Sequence, residues 1–126
     1  MQEQDYTSLN IKKVLTFKGH EILNIDISCP RFNLKPGKKI NKFYSVLANS
    51  FINYCEKKLY IQAAANFCSY PEAHEIFTAG IKFKINDEHE NIKIYLEIDI
   101  NGEKTRKVHV WSLGSGELIK PAEIKK

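Results

Sequence analysis

Four histidines (His20, His74, His89, His109) and three cysteines (Cys29, Cys55, Cys68) are the side chains in this sequence best suited to chemistry. Imidazole and thiolate groups ligate transition metals, and a paired thiol and imidazole can act as nucleophile and base. A metal site built on one element needs two such ligands about a turn apart on a helix, or a close Cys pair. No His lies four residues from another His or Cys, and no C-x-x-C is present. The odd number and wide spacing of the cysteines argue against a disulfide framework, so three free thiols are expected. Cys68 and His74 flank Ser69-Tyr70-Pro71 and come nearest to a thiol–imidazole pair. No signature of a thiol enzyme accompanies them, and Cys55 falls on a helical apolar stripe where packing explains it. Glu72 and Glu75 read as solvated loop charges. Gly114-Ser115-Gly116 is too short to cradle a phosphate and reads as a turn. The expectation is therefore no catalytic residue, no metal ligand and no cofactor.

The elements that must position these residues are legible in outline. Residues 1–8 read as a flexible arm. Ile11 to Phe17 and Glu21 to Ser28 read as strands joined by a turn at Lys18-Gly19-His20. Cys29-Pro30 is expected to end the second strand, because proline cannot donate to a ladder. After the Pro36-Gly37 turn, Ile40, Phe43, Tyr44, Leu47, Phe51, Tyr54, Cys55 and Leu59 recur at spacings of three and four. That stripe predicts one helix from about 39 to about 67, stopped by Pro71. Residues 76–85 and 92–100 alternate apolar and polar side chains, with a loop over 86–91. Asn101-Gly102 is the strongest short hairpin signal, since a type I′ turn needs positive φ at both positions. The returning strand spans 104–113, and 117–119 adds a short edge strand. The whole reads as one α+β domain over 1–126: a single long helix packed on an antiparallel sheet of about five strands.

A two-residue loop at Asn101-Gly102 pairs Asp99 with Lys104, Glu97 with Arg106, Tyr95 with Val108, Ile94 with His109 and Ile92 with Trp111. A competing register with one bulged residue would send Val108 and Val110 inward instead; the unbulged register is favoured for its charge pairing. In it His109 and Trp111 are on the helix side. Tyr95, Val108 and Val110 are on the opposite, open face, with Lys82 and Lys84 at its rim. These five residues are the candidate binding surface for a protein partner or a second copy.

Composition narrows the function classes. A 43% hydrophobic content supports a packed core and excludes overall disorder. The net charge of +4 comes from 19 basic against 15 acidic residues. The basic residues are nearly all Lys, with Arg only at 31 and 106, which argues against nucleic-acid readout. No apolar run is long enough to cross a bilayer, and the polar start is unlike a signal peptide. A cytoplasmic setting is expected for the chain as given, and an extracytoplasmic one if it is trimmed from a longer exported protein. The abundance of Ile, Lys and Asn suggests an AT-rich bacterial source.

Three short stretches carry a resemblance. Ile27-Ser28-Cys29-Pro30-Arg31-Phe32 resembles an I-S-Y-P-x-F step, with Cys29 in place of Tyr. Ile40-Asn41-Lys42-Phe43-Tyr44 resembles a helix start, and Trp111 to Leu118 a late strand and turn. Together they are similar to the bacterial extracytoplasmic domain of the RsiV anti-sigma factor and the PdaC peptidoglycan deacetylase. The Tyr-Thr-Gly-Gly-Ala-His-Gly stretch usual in that family is absent. The resemblance implies a non-catalytic binding or accessory module. The alternative expectation is a small enzyme or small-ligand binder with a pocket between helix and sheet.

Overall fold

Lys18 and Gly19 both adopt positive φ, +51° and +80°, and so turn the chain in two residues. They join β1 (Tyr6–Phe17) to β2 (His20–Phe32) in a long antiparallel hairpin. The computed structural model of the protein describes residues 6–33, 37–88 and 90–123. Residues 6–8, expected in a flexible arm, are part of β1; residues 1–5 lie outside the described residues. A register shift between Leu15 and Thr16 lets consecutive Ile22 and Leu23 both be fully buried.

β2 does not end at Pro30, as the missing N–H suggested, but continues to Phe32. Its pairing with β3 covers only Leu23 to Ile27, so at Pro30 one flank of the strand has no neighbour to receive a hydrogen bond.

The helical stretch runs over 37–69, two residues longer at each end than expected. It comprises α1 (Gly37–Tyr54), a π-helical segment (Cys55–Leu59) and α2 (Tyr60–Ser69). Asn41 anchors its first turn: its side-chain amide accepts from Phe32 N at 2.7 Å and donates to Phe32 O at 2.9 Å. Gly37 is needed there, because a Cβ would lie 2.8 Å from that of Phe32. At the far end Tyr70 leaves helical geometry just before Pro71.

This long crossover returns the chain so that β3 (Phe77–Glu88) pairs parallel to β2. The expected all-antiparallel sheet of about five strands is therefore a mixed sheet of six, in the order β1-β2-β3-β4-β5-β6. The other pairings, with β4 (Asn91–Ile100), β5 (Glu103–Ser112) and β6 (Leu118–Glu123), are antiparallel. Strand pairing reaches Glu88 and Asn91, so most of the loop expected over 86–91 is ladder; His89 lies outside the described residues.

The helix crosses one face of the sheet obliquely. Near its start Lys39 makes an ion pair with Glu117, beside β6, and Tyr44 reaches His109 of β5. Further along, Glu56 meets Lys13 of β1 at 3.3 Å and Tyr60 donates to Thr16 O at 2.8 Å. Between the layers lie Tyr44, Ala48, Cys55, Leu59 and Ala63 from the helix, against Leu23, Ile25, Ile27, Ile81, Ile92, Ile94 and Leu96. Phe43 and Leu47 pack at the margin, and Tyr54, expected on the buried stripe, is exposed. Among the described residues no helix is long and apolar enough to cross a membrane.

Candidate functional site

Strand alternation puts Lys82 and Lys84 of β3, Tyr95, Glu97 and Asp99 of β4, and Lys104, Arg106, Val108 and Val110 of β5 on the face away from the helix. Register makes them into rows across the sheet. Lys84, Tyr95 and Val108 form one row; Lys82, Glu97 and Arg106 form the next; Lys93 and Val110 flank Tyr95 and Val108 on the other side. The structure thus brings the five candidate residues together on one surface. Lys82 and Lys84 are exposed, whereas Tyr95, Val108 and Val110 are half-buried. An open hollow of about 440 Å³ lies over this part of the face, lined by Lys82, Lys84, Tyr95, Glu97 and Arg106 with the backbone strands beneath.

The electrostatics of the hollow depend on how its one carboxylate is used. Glu97 accepts from Arg106 Nε at 3.3 Å and has Lys104 Nζ at 3.7 Å. Asp99 and Lys104 are cross-strand partners as the register predicts, but no ion pair joins them: Asp99 Oδ1 accepts the Gly102 N–H at 2.7 Å and braces the turn. Lys104 then reaches diagonally to Glu97. Among the described residues neither Lys82 nor Lys84 has an ion-pair partner, so the hollow carries excess positive charge. A smaller hollow of about 180 Å³ lies alongside, over Gly80 and between Asp26 and Asp99. Gly80 is required by the strand pairing, since a Cβ would lie 2.7 Å from Asp26 O.

On the helix side the structure assembles a buried polar chain that spacing alone could not reveal. Trp111 Nε1–H donates to Tyr44 Oη at 3.0 Å, and Tyr44 Oη lies 2.9 Å from His109 Nδ1. Trp111 is donor-only, so the Tyr44 hydroxyl hydrogen goes to Nδ1, which makes His109 a neutral imidazole protonated at Nε2. Burial favours that form: it lowers the His109 pKa, and Lys107 lowers it further. Burial likewise raises the Tyr44 hydroxyl, opposed by the Trp111 hydrogen bond and aided by Cys29. Phe43 sets its ring edgewise to Tyr44, His109 and Trp111 at 5.0–5.2 Å between centroids. Tyr44, His109 and Trp111 are all buried, and none of them lines either hollow. Their hydrogen bonds link helix to sheet.

The remaining chemical candidates are scattered. Cys29 and Cys55 are buried thiols, each pushed up to about 11 by desolvation, with Glu56 adding to the effect at Cys55. Cys68 is exposed and makes no hydrogen bond to His74. His74 packs on Phe67 and His20, and its two ring nitrogens each lie 3.3 Å from a carbonyl oxygen, of Pro71 and Glu21. Glu72 and Glu75 are exposed. Among the described residues no three His, Cys, Asp or Glu side chains converge as metal ligands. Gly114 to Gly116 close a turn in which Gly116 N donates to Ser112 O at 2.8 Å.

Comparison with models of known protein families gives no match. Comparison with curated proteins gives none either.

Proposed function

We propose that the chain is a non-catalytic interaction module of a bacterial protein, binding another protein or a second copy of itself through the open sheet face. The observation that carries this reading is the one-sided roofing of the sheet. The helix covers one face, while the other presents Tyr95, Val108 and Val110 in adjoining rows beside Lys82 and Lys84. The resemblance to the extracytoplasmic domain of RsiV and PdaC supports a binding or accessory role, and an exported setting if the chain is part of a longer protein. The scarcity of Arg speaks against nucleic acid as the partner. The space between helix and sheet is occupied by fully buried side chains, which weighs against the ligand-pocket alternative.

Sedimentation velocity over a range of concentrations tests the reading. Wild-type protein is expected to self-associate, and Tyr95→Lys combined with Val108→Lys to abolish the association with far-UV circular dichroism unchanged. Association that survives both added charges overturns the assignment of this face.

A further inference from the structure

We infer that the hollow around Tyr95 takes an extended acidic segment of a protein partner, one with carboxylates on alternate residues. This deepens the proposed role of the open face and rests on it. Three features of the face support it. The first is the charge balance: Glu97 is engaged by Arg106 and Lys104, leaving Lys82 and Lys84 without ion partners among the described residues at the edge of the hollow. An anionic group placed there meets the Lys82 and Lys84 ammonium groups, and the carboxylates of Asp26 and Asp99 lie in the smaller hollow on the far side of Lys82. The second is spacing. Lys82 and Lys84 are two residues apart on one strand, and so about 6.8 Å apart along it. Alternate residues of an extended peptide repeat at the same distance, so two carboxylates on one side of the peptide can meet the two lysines together. The third is the half-buried Tyr95 ring, cross-strand from Lys84, which offers an apolar plate where the peptide passes.

A single-stranded nucleic acid also carries evenly spaced anions, but this face suits it less. Sequence-tolerant binding of single strands relies on successive aromatic platforms, and Tyr95 is the one aromatic ring in these rows. Arg106, the residue type best matched to phosphate, is already engaged with Glu97.

The test uses the full chain and fluorescein-labelled peptides in low salt. One peptide repeats Glu-Ser four times; a second has the same composition with the glutamates in adjacent pairs. An oligothymidylate of similar charge is the third probe. The alternating peptide is expected to bind tightest by anisotropy, and Lys82→Gln with Lys84→Gln to weaken it about tenfold. Lys57→Gln with Lys58→Gln, the same charge change on the helix, is expected to leave binding within about twofold. Equal losses in the two double variants, equal affinity for the two peptides, or tighter binding of the oligothymidylate would each overturn the inference. Absence of peptide binding while Tyr95→Lys with Val108→Lys still abolishes self-association overturns the acidic-peptide inference alone. Absence of both overturns it together with the reading on which it rests.

Discussion

Tyr44 holds both hydrogen bonds of the buried chain, accepting from Trp111 and donating to His109, and so couples α1 to β5 through one hydroxyl. A consequence follows for pH. Unfolded His109 takes up a proton near its ordinary pKa of 6.5, whereas in the fold burial lowers that value. As pH falls below about 6.5 the unfolded chain binds a proton that the native one refuses. Stability therefore declines with acid, by at most about 1.4 kcal/mol per pH unit while the two states differ by one proton. His109→Gln keeps an acceptor for Tyr44 and removes the titration. Urea midpoints at pH 7.5 and 5.5 are expected to differ less in this variant than in wild type; an undiminished difference would place the effect elsewhere. The cysteines yield a second residue-scale prediction. With Cys29 and Cys55 buried and pushed up to about 11, iodoacetamide at neutral pH is expected to label Cys68 alone in the native protein, and all three thiols in denaturant. The Asn101-Gly102 turn favours the register that puts His109 and Trp111 on the helix side, but a one-residue bulge would have reversed it, and only the observed pairing of Ile94 with His109 and Ile92 with Trp111 decides between them. Their link to Tyr44 could not be read from sequence, since it joins positions more than sixty residues apart.

At the level of elements, the two glycine hairpins, at Lys18-Gly19 and Asn101-Gly102, were the most legible parts because turn chemistry is local, whereas the β3–β4 hairpin was placed with too long a loop. Asn101 and Gly102 take φ of +50° and +94°, and the pairing runs unbulged from Ile100–Glu103 to Asn91–Ser112. The parallel β2–β3 pairing was not read from the two strands, since neither carries a residue that fixes their relative direction; the long helical crossover between them was the signal that bore on it. The π segment was hidden. Ile40 and Phe67 are 27 residues apart, and at about 100° per residue an uninterrupted α-helix would put them on opposite faces. The wider turn over Cys55–Leu59 absorbs an extra residue and swings α2 back, so that Ile40 and Phe67 are both buried. Gly80 marks the parallel pairing in the sequence only in retrospect, as a glycine in an otherwise regular strand. Gly80→Ala must push the new methyl against Asp26 O or part β2 from β3. It is expected to cost about 1–3 kcal/mol in a denaturant titration, and full wild-type stability would show that the strands can spread freely at that point.

Across the whole molecule, the oblique helix is what makes six strands one cooperative unit. Its start is tied to the β5–β6 end by Tyr44 and Lys39, and its later turns to β1 by Glu56 and Tyr60. The middle of this span carries Phe51, which is 9% exposed and belongs to the same core cluster as Trp111. Truncating it leaves a void that rigid strands on one side and the helix backbone on the other can close only in part. Phe51→Ala is expected to cost about 3–5 kcal/mol of unfolding free energy. Its signature should be global: Trp111 fluorescence, which reports β5, and far-UV circular dichroism, which reports all elements, should shift to lower denaturant together and with one midpoint. Separate midpoints would mean that the β4–β5–β6 side can outlast loss of the helix packing. An unchanged shared midpoint would remove Phe51 from the interface that holds the two layers.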